Sequence, residues 1–161
     1  MRTFLEYGQC EVVAVPIDTT GAAVSGDWMS LKGYSRATFI IAQGATAGGT
    51  PAVTLKQATA VAGTGTKALP FAEYFSKVAL TGADWVAAAV TSDTFNLTAT
   101  ANKITAIQVD ASSLDVAGGF DCVQVAIASP GANANLIAVI CILDGARYPN
   151  AVALTVDAKL D

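Results

Sequence analysis

Ser112 and Ser113, the carboxylates Asp110, Asp115 and Asp121, the glycine-rich stretch Gly63–Lys67 and the cysteines Cys10, Cys122 and Cys141 are the residues whose types and spacing could do chemistry. The chain contains no histidine. That removes the side chain most used for proton transfer near neutral pH and the usual nitrogen ligand of zinc. A Ser-His-Asp triad is therefore impossible, and nothing suggests a lysine-based substitute for Ser112 or Ser113. Gly63–Lys67 lacks the four-residue spacer and the Lys-Ser/Thr ending of a phosphate-binding loop, so it reads as a hairpin loop. The three aspartates miss the Asp-x-Asp-x-Asp-Gly spacing of a calcium loop and suit capping and turn roles. The cysteines show no CxxC spacing. They read as small buried hydrophobes, against a Cys122–Cys141 disulfide or a reactive thiol. Trp28, Tyr34, Trp85 and Tyr148 stand next to turns and either cover the end of a core or line a sugar or ligand pocket. No residue set is assigned to catalysis, a cofactor or a metal.

The elements that must position these residues are strands. With 161 residues, 53% hydrophobic and 14% charged, the chain has the size of one domain, 1–161, with too few charges for long solvent-facing helices. A net charge of −4 without a basic cluster argues against direct nucleic-acid binding, which depends on Lys and Arg releasing counterions. Glu6 interrupts the apolar core a signal peptide needs, and the longest apolar run, Leu136 to Leu143, is far short of the ~20 residues of a membrane span. The expectation is synthesis in the cytoplasm and no membrane partner.

The segment Arg36–Gln43, β-branched and aromatic and bounded by Gly44, predicts a central strand. Around it the alternation predicts strands at Cys10–Ile17, stopping near Pro16, and at Ala52–Ala58, Ile104–Asp110 and Phe120–Ala128. Short strands are expected near Asp84–Val86 and Thr94–Thr98. Lys67–Ala79 suits a helical stripe through Phe71, Phe75 and Val78 or an edge strand through Pro70, and is read as strand. Ala111–Gly119 predicts a single helical turn. Leu136–Leu143 is apolar on both faces, as in a strand buried on both sides or packed on a neighbouring subunit. Residues 1–9 and 147–161 read as terminal arms, the second with Val152, Leu154 and Val156 in alternation, able to add as a strand to this or another copy. Short strands separated by Gly, Pro, Ser and Asn predict an all-β, antiparallel sandwich or barrel.

Four blocks carry a resemblance: Asp27 to Ile41, Val53 to Ala58, Gly118 to Val125, and Gly145 to Tyr148. In this order they resemble small virion proteins of tailed bacteriophages found among head-gene products. The resemblance implies a structural protein of the particle, foremost a capsid cement or decoration protein that binds the major capsid protein on the outside of an assembled shell as a symmetric oligomer. The expected location is then the capsid surface. A homo-oligomer, with a trimer favoured, is also expected from the two apolar faces of Leu136–Leu143. A head-to-tail connector or tail component, a host-surface carbohydrate-binding module and a small enzyme are the competing readings. The resemblance supplies no contact residues. Arg2, Arg36, Arg147 and Tyr148 are candidate partner contacts because Arg and Tyr dominate interface energetics and these flank the core or lie in the arms, although Arg36 and Arg147 also suit plain solubilising charges.

Overall fold

The computed structural model describes residues 8–78 and 82–147. Alternation of apolar and polar side chains, interrupted by turn residues, produces twelve strands among them. These are β1 (Gln9–Asp18), β2 (Val24–Ser25), β3 (Met29–Ser30), β4 (Arg36–Thr46), β5 (Ala52–Ala58), β6 (Lys67–Ala68), β7 (Glu73–Val78), β8 (Val86–Ala89), β9 (Thr94–Asn96), β10 (Lys103–Asp110), β11 (Cys122–Ile127) and β12 (Asn135–Asp144). One sheet runs β1-β12-β4-β10-β7-β8. The second runs β2-β11-β5-β6, with β3 also on β11 and β9 also on β5. All pairings are antiparallel.

The sheets pack face to face as a β-sandwich. Phe39, Ile41, Ile107 and Val139 from the first sheet and Val53, Leu55, Val123 and Val125 from the second belong to one buried core. Burial of such side chains, each worth about 1.5–3 kcal/mol, is what holds two sheets together. The connector after β10 makes two short 3-10 turns, Ala111–Ser113 and Val116–Gly118. The second is capped by the Asp115 carboxylate, which accepts from Gly118 N, and ends at Gly119 in the left-handed conformation at φ 80°. Buried Gln57 ties this connector to the second sheet by accepting from Asp115 N at 2.8 Å while donating to Ala68 O at 3.2 Å.

Several expectations change. β1 runs through Pro16 to Asp18, because it lies at the sheet edge and its register with β12 shifts between Ala14 and Ile17, where no ladder N–H is required. Lys67–Ala79 is not one strand: Lys67–Ala68 joins the second sheet and Glu73–Val78 the first. Two short turns replace the single one predicted over Ala111–Gly119. Of the cysteines, Cys122 and Cys141 are buried, whereas Cys10 is exposed on the outer side of the edge strand, and all three are free thiols. β12 is buried on one face alone, with Ile137, Val139, Cys141 and Leu143 inward and Leu136 43% exposed on the other. Residues 1–7 and 148–161 of the expected arms lie outside the described residues, and Gln9 belongs to β1, paired with Leu143.

Candidate interaction surface

The side chains singled out for chemistry are mostly engaged in holding the fold. Lys67 meets the Asp115 carboxylate and lies 4.2 Å from the centre of the Phe120 ring, so the glycine-rich loop closes on the connector. Asp110 pairs with Arg36, and Asp121 accepts from the Cys122 thiol at 3.1 Å. Burial, then Asp121, pushes the Cys122 thiol up to about 12, and burial also raises that of Cys141, so neither is an activated nucleophile. The aromatic residues go to separate places. Tyr34 is buried with its hydroxyl 3.3 Å from Gln9 Oε1, Trp28 packs over Gly63, and Trp85 lies 5.5 Å from Lys77 Nζ. Tyr148 lies outside the described residues.

Among the described residues, no element packs over the outer face of the first sheet. β4 and β12 point Phe39, Ile41, Val139 and Cys141 into the core, so the alternating residues Ile40 and Ile140 point out. Register then aligns a row across five strands: Val12 opposite Ile140, Ile140 opposite Ile40, Ile40 opposite Ala106, and Ala106 opposite Phe75. The neighbouring rows carry Cys10, Ile142, Thr38 and Gln108 on one side, and Ala138, Ala42, Ile104 and Lys77 on the other. Val12 and Leu136 are among the exposed large hydrophobic side chains of the molecule. A contiguous apolar area of this kind marks an interaction site more often than it marks ordinary surface.

One end of the face is charged. Arg36 lies between Asp110 of β10 and Asp144 of β12 in register, and its Nε donates to Asp110 Oδ1 at 3.1 Å. Arg147 reaches the same end, because its backbone N donates to Gly33 O at 2.8 Å while Ser35 N donates to Asp144 O at 3.1 Å. The structure thus brings Arg36 and Arg147 to one end of the sheet, both outside the core. Gly145 makes this approach possible, since a Cβ there would fall on Ser35 Oγ and its φ is 66°. Arg2 lies outside the described residues. The apolar row itself is missing from the sequence-based candidates. Its signal was the double apolarity of Leu136–Leu143, which Ile40 and Ala42 repeat in β4.

No family model matches the chain, and no curated protein matches it. Among solved structures, the SPBc2 prophage-derived protein YomS is similar, with a TM-score of 0.48 and 11% sequence identity over 86% of this chain and 93% of that one.

Proposed function

We propose that the chain is a non-enzymatic structural protein of a tailed-phage virion, and that it serves as a capsid cement protein on the head surface. The observation that carries this reading is the apolar row Val12, Ile140, Ile40, Ala106 and Phe75 on the outside of a six-stranded sheet, bordered by charge at the Arg36 end. A rigid sandwich whose broad face is apolar and whose ionic groups sit at the margin suits docking onto another folded protein, with a buried apolar centre and a polar rim. The four sequence blocks that resemble phage head-gene products point to the shell, and so to the major capsid protein, as that partner. Repetition of equivalent lattice sites lets modest contacts suffice, especially if several copies act together as a homo-oligomer, a trimer being favoured. The test is to mix purified protein with heads that lack it, count bound copies and compare resistance to heat. Many copies per head with raised heat resistance is the expected result. Occupancy of a few copies at one vertex would assign the protein to the head-to-tail connection, and failure to bind would reject both.

A further inference from the structure

Four of the exposed large apolar side chains stand at opposite edges of the first sheet. Val15 and Ile17 belong to β1, and Val86, with its neighbour Trp85, opens β8. One register row, Ala14, Val139, Ile41, Thr105, Ser76 and Val86, crosses all six strands and ends in both patches. Five interstrand spacings, about 24 Å, separate them, so neither patch can cover the other within one molecule. At the β1 edge the surface is concave. Ala14, Val15 and Ile17, with Ala23, Val24 and Ser25, line a groove of about 240 Å³ between the edge strands β1 and β2 of the two sheets. At the β8 edge Trp85 and Val86 are 48% and 63% exposed, and Lys77 Nζ lies 5.5 Å from the centre of the Trp85 ring.

We infer that Trp85 and Val86 of one copy dock, head to tail, into the groove formed by Val15, Ile17 and Val24 of a second copy. Strand addition at β1 is not the mode. Pro16 has no N–H to give, and the register with β12 shifts on both sides of Ala14, two features that keep an edge from pairing with another strand. Side chains entering a groove need no ladder. Charge selects the second copy as the occupant. From Gly8 to Trp28 the charged residues are Glu11, Asp18 and Asp27, with no lysine or arginine. Two grooves facing each other would set like charges together, whereas Trp85 arrives with Lys77 against its ring, at a groove whose Ile17 adjoins Asp18. Such a contact is heterologous. Every pair keeps one free knob and one free groove, so a third copy can join. The contact uses the sheet edges and none of the row Val12, Ile140, Ile40, Ala106 and Phe75, so it goes beyond shell docking and does not depend on it.

Light scattering of the purified full-length protein, with no heads present, tests this. Wild type is expected to form species larger than a dimer, and Trp85→Asp and Val15→Asp each to be monomeric. Mixed in equal amounts, the two variants are expected to stop at a dimer, because one intact groove and one intact knob remain between them. That dimer would also show that both variants are folded. A monomeric wild type would overturn the proposal. Association that persists in either variant alone would overturn it too, as would a mixture that stays monomeric. None of these results bears on shell binding, which is measured separately.

Discussion

Tyr74 of β7 and Phe95 of β9 stack with ring centroids 3.9 Å apart and planes 13° from parallel, joining the two sheets at the point where β7 leaves β10. Phe95 is buried and also meets Phe71 edge-on. Removing it takes out a core ring and two aromatic contacts at once. Phe95→Ala is expected to lower stability by about 3–5 kcal/mol, which urea denaturation would measure. A loss below about 1 kcal/mol would show that the two rings do not fasten the sheets.

The outer and inner faces of β4 should respond differently. Ile41 is fully buried, so Ile41→Ala is expected to cost about 2–5 kcal/mol. Ile40, one residue away on the outer face, should tolerate Ser within about 1 kcal/mol. Arg36→Ala should also change stability by less than about 1 kcal/mol, since its ion pair with Asp110 is exposed. Denaturation midpoints of the three variants decide this, and a large loss for Ile40→Ser would mean that the face is structural.

The thiols give a chemical map of the fold. Cys10 is exposed, while Cys122 and Cys141 are buried with their ionisation suppressed by burial. Native protein at about pH 8 should therefore take up one equivalent of a thiol reagent rapidly, and three once unfolded. Mass spectrometry would read the count, and rapid labelling of Cys122 or Cys141 would contradict the burial described.

The Lys67 hydrogen bond, followed by that from Gly118 N, holds the Asp115 carboxyl below its ordinary value of 3.8. A carboxyl with a depressed folded-state pKa contributes stability that is present above its unfolded value and is lost as pH falls through the folded one. Wild type should thus exceed Asp115→Asn in denaturation midpoint at about pH 6, and the difference should shrink as pH drops through and below the ordinary carboxylate range. A difference independent of pH would show that the charge of Asp115 contributes nothing beyond the cap.

The strands were legible because side-chain alternation and turn residues are local signals. Ala52–Ala58 and Arg36–Gln43 needed nothing more, although β4 continues to Thr46. The division into two sheets was not legible, since β4 pairs with β12 about a hundred residues later and only long-range packing decides that partnership. The break within Lys67–Ala79 depends on Tyr74 and Phe71 finding Phe95, a contact with no local signature. Arg36 was visible as a strand-flanking charge, but its partner Asp110 lies 74 residues away and no pattern links them. The outer apolar row was half legible. Both-face apolarity in Leu136–Leu143 fitted a strand buried on both sides or packed on a neighbouring subunit, and only the register revealed that Ile40, Ala106, Val12 and Phe75 continue its outer face.

Docking through the outer face of the first sheet is tested most directly by counting copies bound per head for wild type and for Ile140→Asp, with circular dichroism confirming that the variant keeps its sheet signal. The account predicts many wild-type copies and a folded variant that fails to bind. A folded Ile140→Asp protein that occupies heads as fully as wild type would contradict it.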